Sequence, residues 1–223
     1  VYIHDPDAAG EWAPAPAAQW FLYHTLAKLK RLIENRGNRF AFFQGDSLKI
    51  LRQIADKIGA DTVFTDTVLE PWAVEQGEAI EKALGEEGIL FHSFLCSTLY
   101  DPEETLKDDG DPYKVFTPFH KNLLENAGPP GQPVDAPKKL PSAPEDFEGN
   151  ALDALKLAGK LPDDRIAETW EPARPHALLN DFIENNLADY EKHHDFPAVD
   201  GTSRLSPYLH FGSVSPRTVW HAA

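Results

Sequence analysis

The sequence predicts an α/β fold, an open parallel sheet with helices on both faces, followed by a proline-rich linker and the start of an all-helical domain. Three observations carry this expectation. Short apolar runs alternate with helix-period segments as far as Phe94, six prolines crowd between Pro129 and Pro144, and no strand-like run recurs beyond them. Alternation of this kind implies parallel strands joined by right-handed helical crossovers.

Val1-Tyr2-Ile3-His4 opens the chain as a strand-like run. Leu22, Leu26, Leu29 and Ile33 then recur at helical spacing between Trp20 and Asn35, with Gly37 as a stop. Phe40-Ala41-Phe42-Phe43 lacks polar alternation, as a strand covered on both faces does. Gly45-Asp46-Ser47 turns the chain into a helix striped by Leu48, Leu51, Ile54, Ala55 and Ile58 and ended by Gly59. Thr62 to Thr65 is the next strand, Trp72 to Leu84 the next helix, and Ile89 to Phe94 the last strand. Ligands on such sheets lie beyond the carboxyl ends of the strands. Neither G-x-G-x-x-G nor the P-loop pattern occurs in this half, so nothing supports dinucleotide binding there.

The expected organisation is an α/β domain over residues 1–126, an interdomain linker over 127–150 and a helical domain over 151–223. Proline density forbids helix or central strand in the linker; a tether and a surface strap both fit it. Leu178, Phe182, Leu187 and Tyr190 mark an amphipathic helix beyond it, and Ser215-Pro216 reads as a helix start. Methionine is absent, even at position 1, and no signal-peptide pattern precedes Val1. The expectation is a fragment whose first strand is missing and whose helical domain is truncated.

Among 223 residues, 21 basic against 36 acidic side chains leave a net charge of −15. A uniformly basic nucleic-acid surface is excluded, so any DNA contact must be local. Mean hydropathy is −0.42 and no apolar run approaches the roughly 18 residues of a membrane span, so no membrane partner is expected. The single Cys96 forms no intrachain disulfide and is expected as a small buried hydrophobe in a cytoplasmic protein. Asp108-Asp109-Gly110-Asp111 lacks EF-hand spacing and reads as a solvated turn. His193-His194 has no spaced ligand set, so no metal is expected.

Asp200-Gly201-Thr202-Ser203-Arg204-Leu205-Ser206-Pro207 gathers a turn glycine, three hydroxyls, a guanidinium and a Ser-Pro helix start. With Ser206 as N-cap, free N–H groups and the hydroxyls of Thr202 and Ser203 suit a phosphate. Arg204 can pair with that phosphate or make a structural ion pair. The same residue types also crowd ordinary turns and caps.

The stretch from Asp189 to Trp220, DYEKHHDFPAVDGTSRLSPYLHFGSVSPRTVW, resembles the start of the flavin-binding helical domain of the DNA photolyase and cryptochrome family. Tyr113-Lys114-Val115-Phe116-Thr117-Pro118-Phe119 resembles the segment closing that family's α/β domain, and Trp20, Gly45-Asp46-Ser47 and Glu70-Pro71 stand where it has similar signals. Arg204 between Ser203 and Leu205 looks most like the class I cyclobutane pyrimidine dimer photolyases.

The resemblance implies FAD folded in the helical domain and damaged DNA docked over it with a pyrimidine dimer flipped out. It further implies light-driven electron transfer that splits the dimer, in a monomeric flavoprotein; the alternative is a blue-light photoreceptor that binds FAD without repair. A third reading is an acidic binding module without flavin. Residue by residue, Tyr190 matches the family's flavin-contacting tyrosine, and Thr202, Ser203, Arg204, Leu205 and Ser206 match its phosphate-side segment, Leu205 through its backbone. His194 stands where bacterial relatives often carry a DNA-contacting arginine, and a neutral imidazole offers a phosphate far less. At Thr65 to Pro71 only Glu70-Pro71 keeps the family pattern, which leaves a folate or deazaflavin antenna open and assigns it no residues. No catalytic residue is assigned within the chain.

Overall fold

The structure, a computed structural model, describes residues 1–140, 143–159, 161, 165–170 and 174–223. The expected alternation is present as β1 (Tyr2–His4), α1 (Pro16–Glu34), β2 (Phe42–Gln44), α2 (Ser47–Ile58), β3 (Thr62–Asp66), α3 (Pro71–Gly85) and β4 (Leu90–Phe94). Pro16 and Pro71 begin their helices, where a missing N–H breaks no bond. The Asp46 carboxylate accepts from the Lys49 N–H to start α2, and Gly59 closes it in the left-handed region at φ 64°.

Both ladders among the described residues are parallel, with Tyr2 opposite Phe42 in one and Thr62 opposite Leu90 in the other. Among the described residues the strands form two two-stranded sheets, β1-β2 and β3-β4, where the alternation predicted one continuous sheet. β3 and β4 also leave one face bare. Phe64 is 68% exposed and stacks on His92 and Phe94, while α3 packs against β4.

Contacts divide the chain into two units, each built from two chain segments: Val1–Phe94 with Ala136–Pro175, and Leu95–Asp135 with His176–Ala223. In the first, Leu26, Phe40, Phe42, Leu155 and Leu157 form a core that Leu22, Ile33, Tyr2, Tyr23 and Leu152 flank. Leu29, expected on the α1 stripe, is exposed.

The described residues 136–140 and 143–150 lie as a strap on this unit. Arg36 donates from Nε to the Pro137 carbonyl (2.9 Å) and its own carbonyl accepts from Leu140 N (3.1 Å). Lys57 Nζ donates to the Asp146 carbonyl (2.6 Å), Phe147 is buried with its ring 6.2 Å from that of Phe43, and Asn150 bridges Phe42 antiparallel.

The second unit contains α4 (Phe116–Asn126), most of α6 (Pro175–Asn185), α7 (Tyr190–His193), α8 (Ser206–His210) and α9 (Pro216–Ala222), while the short α5 (Arg165–Thr169) belongs to the first. Ser215 caps α9 as expected, accepting from Thr218 N at 3.0 Å. His221 Nε2–H donates to the Pro130 carbonyl (2.9 Å), so its Nδ1 accepts from Gln132 Nε2 (3.2 Å). Cys96, expected buried, is exposed, because β4 ends at Phe94 and the chain leaves the sheet. Asp108 to Asp111 is the expected turn: Lys107 pairs with Asp109 at 3.1 Å, and the Asp111 N–H with Lys107 holds the Asp109 carboxyl below its usual range.

Burial pushes the Tyr2 phenol up to about 12. The unfolded chain releases this proton near pH 10 and the folded one resists, so the contribution is intact below pH 10 and disappears as pH rises towards 12. Tyr2→Phe should therefore reduce the loss of stability across that window, read from urea midpoints at pH 9, 10.5 and 12. Equal losses in both proteins would show that Tyr2 does not drive it.

Candidate functional site

The amphipathic pattern over Leu178 to Tyr190 is not one helix. α6 ends at Asn185, Leu187–Asp189 is a 3-10 turn, and Tyr190 starts α7. Phe182 meets the Tyr190 ring edge-on at 5.8 Å, and Tyr190 keeps 42% of its surface open. The His194 ring stacks on it at 5.0 Å. His194 Nδ1 lies 2.9 Å from the Tyr190 carbonyl and must donate to it, which leaves Nε2 pointing towards Asp195 at 3.3 Å. Lys192 pairs with Asp189 at 2.7 Å, which raises the ammonium and lowers the carboxyl.

From His194 the chain loops back through successive tight turns to Gly201, which is buried against His193. Thr202 then lies exposed, Ser203 half-buried and Ser206 exposed, while Leu205 is only 2% exposed. Arg204 occupies the left-handed region at φ 53°, and its Nη2 lies 2.8 Å from Asp200 Oδ1. The structural ion pair that the sequence allows for this guanidinium is thus formed with Asp200. Ser206 is not the N-cap: Leu205 is, and Ser206 is the first helical residue with no side-chain capping bond. Among the described residues the Ser206 hydroxyl makes no capping bond and is open to a ligand.

The helix that Tyr190 begins and the hydroxyl bend are thus linked where Gly201 packs against His193. Asp189, Asp195 and Asp200 border the region, and both Lys192 and Arg204 are paired with carboxylates. A phosphate placed here meets hydroxyls and backbone N–H groups as donors. Two exposed hydroxyls beside a half-buried third fit the pyrophosphate side of a dinucleotide cofactor. Sequence reasoning missed Asp200, whose i,i+4 spacing from Arg204 was a visible signal, and Gly201 and His193, which carried none.

Among the described residues no cluster of histidine, cysteine or carboxylate side chains is placed to hold a metal, and no helix is long and apolar enough to cross a membrane. Glu70 and Pro71 form the start of α3, and Tyr113 meets Phe119 edge-on at the start of α4.

A sequence profile described as DNA photolyase matches residues 1–140. The chain is 37% identical over its full length to the deoxyribodipyrimidine photo-lyase of Agrobacterium fabrum strain C58, of which it covers 46%, and 28% identical over 99% of its length to cryptochrome-1 of Arabidopsis thaliana, of which it covers 33%. A crystal structure of a bacterial class III photolyase from Agrobacterium tumefaciens superposes with a TM-score of 0.90 at 35% identity, over 99% of this chain and 46% of that one. The chain spans less than half the length of these proteins. The class I likeness of the Ser203-Arg204-Leu205 run thus stands beside whole-chain similarity to a class III enzyme. Profile, sequence and fold agree that the chain belongs to the DNA photolyase family.

Proposed function

We propose that the chain serves a light-dependent deoxyribodipyrimidine photo-lyase, contributing the α/β domain and the phosphate side of an FAD site. The observation that carries this reading is the full-length similarity to a protein of that name, higher than that to a cryptochrome. FAD, when bound, supplies the photochemistry that splits a cyclobutane pyrimidine dimer. The chain's own residues position it. Thr202, Ser203 and Ser206 donate hydroxyl hydrogens to the phosphates, Leu205 offers its backbone N–H, and Tyr190 presents a half-open ring packed against Phe182 and His194.

Damaged DNA is the proposed substrate, met through a local basic patch rather than this acidic surface. His194 is the one residue of this chain proposed to meet the DNA, with Nδ1 committed to the Tyr190 carbonyl and Nε2 beside Asp195. An antenna pigment is assigned no residues here.

The test is flavin occupancy and blue-light repair of dimer-bearing DNA by the full-length protein. A hydrogen bond to a charged group is worth about 1.5–3 kcal/mol, so Thr202→Ala with Ser206→Ala should weaken FAD binding at least tenfold. Unchanged occupancy in that double variant would remove the phosphate from this bend. Bound flavin without light-dependent repair would point to a photoreceptor, and a colourless protein that takes up no flavin would end the flavin reading.

A further inference from the structure

Among the glycines of the unit that holds the site, Gly201 lies tightest against its surroundings. A Cβ there would stand 2.6 Å from the Cβ of His193 and 3.2 Å from both its carbonyl carbon and oxygen. The φ of Gly201 lies outside the left-handed region, unlike those of Gly45, Gly59 or Gly212, so conformation is not what requires glycine. Proximity is. His193 ends the helix that Tyr190 begins, and Gly201 directly precedes Thr202. One backbone contact therefore joins the aromatic half of the proposed site to its hydroxyl half.

The seven residues between them are mostly exposed and turn on local bonds: Phe196 N to His193 O, Val199 N to Phe196 O and Gly201 N to Val199 O. Such a loop returns the chain without fixing how closely its ends approach. We propose that Gly201 and His193 are positioning residues, whose direct packing sets the distance between Tyr190 and the Thr202 to Ser206 bend so that one ligand is held at both. This rests on the flavin reading of the site. A side chain at 201 pushes α7 and the bend apart, and a molecule that must touch both loses one of them.

The experiment measures FAD affinity, the visible-region circular dichroism of bound flavin and the urea midpoint in the full-length protein. Gly201→Ala should weaken FAD at least tenfold and change the dichroism at saturation. His193→Gly with Gly201→Ala, which removes the colliding Cβ and leaves only the 3.2 Å contacts, should recover most of both. A third variant with one glycine inserted between Pro197 and Ala198 leaves the contact in place and should keep FAD within threefold. Affinity within twofold of wild type in Gly201→Ala, no recovery in the double variant, or a tenfold loss on insertion would each overturn the proposal. Where Gly201→Ala does not fold, the insertion decides. Wild-type protein that binds no FAD would instead defeat the flavin reading itself.

Discussion

Gly149→Ala should cost the chain about 2–4 kcal/mol of stability, a large share of what a domain has. The new Cβ would lie 2.4 Å from the Phe42 carbonyl oxygen, 2.9 Å from the Phe42 nitrogen and 3.0 Å from the Ala41 Cβ. Two of these three are backbone atoms of a buried strand end, which no side-chain rotation moves. That same Phe42 oxygen accepts the Asn150 N–H at 2.6 Å, so relieving the clash breaks the bridge that pins the strap. Overpacking costs about 1–3 kcal/mol and the lost hydrogen bond about 1 kcal/mol. Phe42, 2% exposed and edge-on to Phe40, transmits the shift into the core.

Gly131→Ala is the control within the same proline-rich stretch. Nothing lies within 4 Å of a Cβ there, so its effect should stay within about 0.5 kcal/mol. Urea unfolding of the two variants side by side decides. If Gly149→Ala lost less than about 1 kcal/mol, well under the overpacking cost, the strap would not be anchored where the structure puts it.

Local signals in the sequence located the elements well. Leu22, Leu26 and Ile33 fall on the buried side of α1, and Asp46 with Gly59 bounds α2, because period and capping act over four residues or fewer. Pairing is different: whether β1 and β3 share a sheet depends on chain far away in sequence. The strap was ambiguous for the same reason, since its anchors Arg36, Lys57 and Phe42 stand about 90 to 110 residues upstream.

At the site, hydroxyl content revealed Thr202, Ser203 and Ser206, but not that Arg204 would be left-handed and the helix cap fall on Leu205 rather than Ser206. Asp200 and phosphate were equally good partners for Arg204 on paper. The 2.8 Å ion pair shows Asp200 within reach of the guanidinium, which composition alone does not encode. Gly201 was indistinguishable from a routine turn glycine, because close approach of two backbones leaves no trace in composition or period.

The second large effect is expected at Tyr208, which has no exposed surface at all. α8 has five residues, far too few to persist on intrinsic helix propensity, so tertiary anchoring must hold it. Tyr208 stands at its centre. Its carbonyl also gathers the Ser213 N–H at 2.8 Å and the Val214 N–H at 3.4 Å, which folds the following turn back onto the helix. Leu205 and Val214, at 2% and 3% exposure, are the buried side chains that bracket it in sequence. Removing a buried aromatic ring costs about 3–5 kcal/mol, and Tyr208→Ala should lose that much by urea unfolding. Tyr208→Phe keeps the ring and should lose only about 1 kcal/mol for the hydroxyl's hydrogen bonding. Because α8 carries Ser206 and follows directly on Thr202 to Leu205, flavin retention in the full-length protein should fall with the alanine variant and survive in the phenylalanine one. An alanine variant that is destabilised yet retains flavin as wild type does would show that the hydroxyl bend does not depend on α8 for its shape.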